Sequence, residues 1–267
     1  MLSPAKLNLF LHVIGRQPNG YHELQTVFQL LDWGDTLRFD VSERPGIRLT
    51  SNMSDVDDVD NLIIRAASLL PLPNDRGVSI TLNKVIPLGG GLGGGSSNAA
   101  TTLLALNALF GLGQSIDALA TCGATLGADV PVFVRGASAW GEGVGEKLTP
   151  IELPARWFVI ISPDCHVSTR EIFMAPELTR NTPPITVSAL FGGAVHNDLQ
   201  PVVEGRYVEV RRAINWLSNH GAAMMTGSGA CVFAAYDNRD EAERVAQLAK
   251  REFRVYVAKG INRYAMA

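Results

Sequence analysis

The strongest constraint in this chain is a run of glycine. Residues 87–97 read Pro87, Leu88, Gly89, Gly90, Gly91, Leu92, Gly93, Gly94, Gly95, Ser96 and Ser97, with six glycines in the seven positions 89–95. Such a run costs backbone entropy on folding, so it marks a place where the chain turns sharply or something comes against the backbone. Ahead of it, residues 78–86 alternate apolar and polar and read as a strand. Behind it, residues 98–110 carry apolar side chains round most of a helix that ends at Gly111, which predicts a buried helix. A glycine loop that opens a helix presents unpaired N–H groups and the positive end of the dipole, which together make an anion site. The hydroxyls of Ser96 and Ser97 add donors. The run reads as a phosphate cradle.

Two well-known loops do not fit. A Walker loop needs Lys and then Ser or Thr after its last glycine, and here Ser96 follows Gly95 directly. The dinucleotide pattern is met by Gly89, Gly91 and Gly94, but a run this rich meets it almost automatically. The strand before it carries Asn83 and Lys84, and no acid lies about 20 residues on, so the dinucleotide context is missing.

The chain has 267 residues, 46% hydrophobic and 18% charged, enough for one large domain or two ordinary ones. Net charge is −3 with Lys and Arg scattered, which argues against a nucleic-acid surface. Cys122, Cys165 and Cys231 show no zinc spacing and read as reduced thiols, with Cys231 a small packing residue. Asn8 and His12 break the apolar run after Lys6, so no signal-peptide core is expected. No segment approaches the ~20 apolar residues of a membrane span. The expectation is a cytoplasmic protein without nucleic-acid or membrane partners.

Residues 6–13 alternate as a half-buried strand, which puts Lys6 and Asn8 on one face. Residues 17–20 read as a turn. Residues 23–31 and 36–41 read as antiparallel strands joined by a turn at Trp33, Gly34 and Asp35. An acidic loop at 55–60 ends in a helix cap, Asp60. Ser115 caps a helix to about 126, and residues 132–134 read as a short strand. Beyond 152 come strands at 157–161, 222–226, 231–236 and 253–258, with helices at 169–173, 201–219 and 239–251. Strands and helices interleaved in this way suggest an α+β sandwich, hence a two-domain α+β chain divided into 1–152 and 153–267.

Three stretches in order carry a family resemblance: Pro4-Ala5-Lys6-Leu7-Asn8-Leu9, the glycine loop running into Asn98-Ala99-Ala100, and Thr226-Gly227-Ser228-Gly229-Ala230-Cys231-Val232-Phe233. They resemble the three signatures of the GHMP kinases, the superfamily that includes galactokinase, homoserine kinase and mevalonate kinase. Further stretches resemble the branch of that family acting on a cytidine diphosphate compound: Asn19-Gly20-Tyr21-His22, Asp60-Asn61-Leu62, and Leu126-Gly127-Ala128-Asp129-Val130-Pro131-Val132-Phe133. The resemblance implies a ribosomal-protein-S5-like N-terminal domain, a ferredoxin-like C-terminal domain, and transfer of phosphate from ATP, with Mg2+, to a hydroxyl of a small-molecule substrate. A monomer or weak homodimer is expected.

The same resemblance gives Asp129 and Lys6 catalytic roles and lets Asn8, Thr169 and Gly227 meet the substrate, while the loop residues and Lys84, near the start of the loop, are candidates for binding ATP. Tyr21 and Phe173 would sandwich the cytosine, and His22 would hydrogen-bond its edge. Ser168 stands where the family often has proline. Read without the resemblance, Asp129 is a turn aspartate, Lys6 and Lys84 are strand lysines, Phe173 is core and His22 is a loop residue. No carboxylate ligand for a metal can be assigned. Two alternatives stay open: a GHMP kinase for homoserine, mevalonate or a sugar, and a ligand sensor without catalysis.

Overall fold

The computed structural model describes residues 1–18, 20–52, 61–190, 192 and 195–264. Asn19, the acidic loop and Asp60 lie outside the described residues.

Two long strands organise the first half. β1 (Leu2–Arg16) and β2 (His22–Ser42) form an antiparallel hairpin closed by the expected turn, in which the Gly20 N–H donates to the Gln17 carbonyl at 2.9 Å. β1 is buried on both faces over most of its length, not on one. The turn expected at Trp33, Gly34 and Asp35 is absent, and β2 runs straight through it. Gly34 is there for clearance: a Cβ at that position would lie 2.1 Å from the Ser3 carbonyl oxygen, where the two strands cross closely. β4 (Gly77–Asn83) pairs antiparallel with the far half of β2, and β3 (Gly46–Ser51) lies parallel to β4 at the edge. The near half of β2 pairs with β5 (Ala139–Gly143), which continues into β6 (Lys147–Pro150).

Four helices cover this sheet: α1 (Leu62–Ser68), α2 (Gly94–Leu109), α3 (Ile116–Ala124) and α4 (Val130–Arg135). Phe28, Leu30, Leu37, Ile63, Leu103 and Val130 belong to the core between the layers. Asn61 caps α1 by accepting from the Ile63 N–H, and Ser115 caps α3 as expected. The strand expected at 132–134 is instead the middle of α4. The run from Val130 to Val134 is apolar throughout, so it has no period to separate strand from helix, and Pro131 suits a first helical turn.

In the second half, β7 (Trp157–Ser162), β8 (Ala223–Met225), β9 (Val232–Tyr236) and β10 (Arg254–Ile261) form an antiparallel sheet in the order β10-β7-β9-β8. α5 (Thr169–Met174), α6 (Val187–Leu190), α7 (Gln200–Arg206), α8 (Val208–Ser218) and α9 (Arg239–Ala249) complete it. The helix expected over 201–219 is two, broken at Tyr207, whose backbone is extended. Ser168, in place of proline, caps α5 by accepting from the Glu171 N–H. β10 joins the halves: residues 254–259 pair with β7, and Gly260 and Ile261 pair with Leu31 and Leu30 of β2. A core of Ala5, Leu7, Leu92, Phe158, Cys231 and Phe233 fills the seam. Burial pushes the Cys231 thiol up to about 12, so it stays a neutral packing group.

Candidate active site

α2 begins within the glycine run. Gly93, in the left-handed region at φ 71°, is its N-cap, and the N–H groups of Gly94, Gly95 and Ser96 have no acceptor within the helix. The third glycine turn closes over this loop from the second half of the chain. The N–H groups of Ala230 and Cys231 donate to the carbonyls of Gly89 and Gly90 at 3.3 and 3.1 Å. A Cβ at Gly91 would lie 2.2 Å from the Thr226 carbonyl oxygen, so any other residue would force the two loops apart.

Lys6 reaches into the cleft below the loop. Its backbone N–H donates to the Leu92 carbonyl, and its ammonium lies 2.5 Å from Asn8 Oδ1, 3.1 Å from Asp129 Oδ2 and 5.6 Å from the centroid of the Phe28 ring. The Lys6 side chain is 3% exposed and that of Asp129 is 32% exposed. One partner of the pair therefore faces the cleft. Asp129 holds the N-cap position of α4 yet makes no capping bond, because its carboxylate turns to Lys6. Asn8 is engaged on three sides: Oδ1 with Lys6, Nδ2 with Thr26, and its N–H with the Thr226 hydroxyl.

These residues line one cleft of about 290 Å³ with Gly89, Gly91, Gly93, Gly227, Thr169 and Phe173. The Thr169 and Ser228 hydroxyls meet at 2.6 Å. An outer cleft of about 650 Å³ continues from it, sharing Leu24, Ala128, Val144, Thr169 and Phe173 and adding Tyr21, His22 and Arg16. Tyr21 is 65% exposed there. His22 and Phe173 pack at 5.1 Å between ring centroids, tilted by 32°. Arg180 Nε donates to His22 Nε2 at 3.1 Å. Burial, Arg180 and Arg16 all lower the pKa of His22, which favours the neutral ring.

Leu92 is a buried part of the seam. The Ser97 hydroxyl accepts from Ser3 Oγ at 2.8 Å and its N–H bonds to the Gly93 carbonyl, whereas the Ser96 hydroxyl lies near Gly127. Lys84 is not a surface lysine. Its ammonium lies 2.5 Å from Asp35 Oδ2, and it stands so close to the start of α2 that a Cβ at Gly94 would meet it at 2.7 Å. Burial lowers the Lys84 pKa while Asp35 pulls it up. Asp35, fully buried, also accepts from the N–H groups of Val85 and Ile86 at 2.8 Å and from Asn98 Nδ2 at 3.0 Å. This anchor under the phosphate cradle was missed from sequence because Asp35 read as a turn residue.

Asn197 was missed too. Buried, it donates from Nδ2 to the carbonyls of Met225 and Gly227, both at 2.8 Å, and so holds the third glycine turn in place. The segment around it packs on His12, which is 2% exposed and stacks on His196 at 4.4 Å. Among the described residues neither ring nitrogen of His12 has a hydrogen-bond partner. Burial and His196 lower its pKa, with Asp198 opposing. The unfolded chain then takes up a proton that the folded chain resists, so stability is fullest above about pH 6.5 and falls as pH drops toward the folded-state value. His12→Phe is expected to flatten the loss of melting temperature between about pH 7 and pH 5. His22 contributes in the same direction and stays in place, so the flattening is partial. A slope equal to that of the wild type would remove His12 from this account.

Among the described residues no group of three or more His, Cys, Asp or Glu could hold a metal. Among the described residues the cleft is lined by one carboxylate, that of Asp129, and by the neutral side-chain oxygens of Asn8, Thr26, Thr169 and Ser228. So sparse a set fits Mg2+, which keeps water and phosphate oxygens as most of its ligands. Among the described residues no helix is long and apolar enough to cross a membrane.

Comparison with known proteins agrees with this geometry. Residues 61–137 match the GHMP kinases N terminal domain and residues 185–254 the GHMP kinases C terminal domain. A protein of Marinobacter nauticus named 4-diphosphocytidyl-2-C-methyl-D-erythritol kinase is 52% identical, over 97% of this chain and 93% of its own. One of the same name from Pseudomonas fluorescens is 53% identical at the same coverage. A crystal structure of 4-(cytidine 5'-diphospho)-2C-methyl-D-erythritol kinase superposes with a TM-score of 0.85 at 34% identity, covering 97% of this chain and 98% of the other. A mevalonate kinase shares the fold, with a TM-score of 0.72 at 16% identity over 97% and 98% of the two chains. The chain belongs to the GHMP kinases, among the relatives named 4-diphosphocytidyl-2-C-methyl-D-erythritol kinase.

Proposed function

We infer that this chain is an ATP-dependent kinase that phosphorylates the 2-hydroxyl of 4-diphosphocytidyl-2-C-methyl-D-erythritol, a step in non-mevalonate synthesis of isoprenoid precursors. The observation that carries the reading is the Lys6–Asp129 pair beneath the glycine loop, in a cleft continuous with an aromatic pocket.

Phosphoryl transfer asks mainly for positioning and for charge stabilisation of a loose transition state. The free N–H groups at the start of α2 receive the ATP phosphates, and Ser96 adds a hydroxyl. Asp129 accepts the proton of the substrate hydroxyl, whose oxygen bonds to the γ-phosphorus as the bond to the β-phosphate oxygen breaks and ADP leaves. Lys6 supplies positive charge where negative charge builds on the transferring oxygens, and Asn8 holds it there. Asp129 and Ser96 would be the residues to hold Mg2+ brought in with the ATP phosphates, and the ion would supply further neutralising charge.

Tyr21 and Phe173 take the cytosine between them, and His22 meets its edge. The separate matches at 61–137 and 185–254, with β7 opening at Trp157, support a domain boundary at 152/153. The assignment is tested by ADP release from ATP and Mg2+ with the cytidine compound, beside homoserine, mevalonate and galactose. Turnover of the cytidine compound alone is expected, and turnover of a control in its place would discard the base pocket. Tyr21→Ala is expected to weaken use of the cytidine compound by about 5- to 150-fold, the range of one lost stacking contact, with the KM for ATP unchanged. An equal rise in both KM values would count against Tyr21 as a base platform.

A further inference from the structure

We propose that Arg180 determines base specificity: by donating to His22 Nε2 it fixes the imidazole tautomer that presents an N–H at Nδ1, and so selects cytosine over uracil. The inference rests on reading the outer cleft as the base pocket. A guanidinium has donors and no acceptor, so the His22 nitrogen 3.1 Å from Arg180 Nε must carry a lone pair. In a neutral imidazole the hydrogen is then on Nδ1. The lowered pKa of His22 agrees with a neutral ring.

Arg180 is itself held firmly. Nη1 donates to the Leu178 carbonyl at 3.0 Å, and Nη2 donates to the carbonyls of Phe173 and Ala175 at 3.1 and 2.7 Å. The guanidinium thus ties the imidazole to the end of α5, the helix that carries Phe173. The His22 ring lies beside that of Phe173, centroids 5.1 Å apart and planes 32° from parallel, so a base laid on Phe173 would meet the edge of the imidazole. Cytosine and uracil differ at that edge. N3 of cytosine is an acceptor, whereas N3 of uracil bears a hydrogen. An Nδ1–H pairs with the first and opposes the second, leaving two donors facing each other in a partly buried site.

The test compares kcat/KM for the cytidine compound and its uridine counterpart in the wild type, Arg180→Met and Arg180→Lys. The wild type is expected to prefer the cytidine compound by roughly 10- to 100-fold, the range of one base-edge contact. In Arg180→Met the ring exchanges tautomers freely and the preference should shrink to a few-fold, with the KM for ATP unchanged. A merely structural role would lower both rates and keep their ratio. An unchanged ratio in a folded variant, or no preference in the wild type, overturns the proposal. Should the variants fail to fold, 15N NMR of His22 in the wild type decides: a protonated Nδ1 and bare Nε2 support it, and the reverse overturns it. If the wild type turns over neither compound, the base-pocket reading has failed, and the NMR result still reports the tautomer separately.

Discussion

Asparagine at position 129 is expected to lower turnover by roughly 10²- to 10⁴-fold while the KM values for ATP and the cytidine compound stay within a few-fold of the wild type. The substitution keeps the size of the side chain and an oxygen that can face Lys6, so positioning persists. It removes the carboxylate proposed to take the proton. Folding should be little affected, because the carboxylate makes no capping bond to α4 and its side chain is 32% exposed. Steady-state kinetics with both substrates varied checks the split between kcat and KM. Near-wild-type turnover in Asp129→Asn would leave Lys6 and the phosphate cradle as the whole machinery. Loss confined to KM would make Asp129 a binding residue.

Asp35→Ala is expected to be the most destabilising single change at the site, at about 3–5 kcal/mol, because it strips a buried cation of its partner. Lys84 Nζ and the N–H groups of Val85 and Ile86 lose their acceptor together, and Asn98 Nδ2 keeps only Ser3 Oγ. Lys84 is already disfavoured by burial, and without Asp35 nothing on that side offsets the cost. For a chain of this size the loss corresponds to a fall of about 6–20 °C in melting temperature. Asp35→Ala with Lys84→Met should recover part of it, since the uncompensated charge is then gone. Thermal unfolding of both variants is the measurement. A single variant melting within about 2 °C of the wild type would mean that the network does not anchor the loop.

What the sequence revealed and what it hid follow one physical line. The glycine loop opening α2 was legible because its pattern is local: a strand, a glycine run and a helix follow one another along the chain. Lys6 and Asn8 on one face followed from the period of a strand. Their approach to Asp129, and the closure of the third signature's turn over Gly91, left no local signal, since no local rule brings together residues more than a hundred positions apart. Local rules misled where a composition serves two structures. Trp33, Gly34 and Asp35 have turn chemistry, yet Gly34 is needed for a strand crossing and Asp35 as a buried acceptor. Val130 to Val134 had no period at all. Asn197 and Arg180 lie in a stretch without motif, and their value comes wholly from the carbonyls and the imidazole that folding brings to them.

The strand shared by both sheets has a consequence for how the protein is made. β10 gives residues 254–259 to β7 and Gly260 and Ile261 to β2, so neither sheet has all its strands until synthesis has passed Ile261. A nascent chain can already hold the glycine run, Lys6 and Asp129 while the edges of β2 and β7 stand open. Until then both edges offer unpaired N–H and C=O groups to any other strand that meets them.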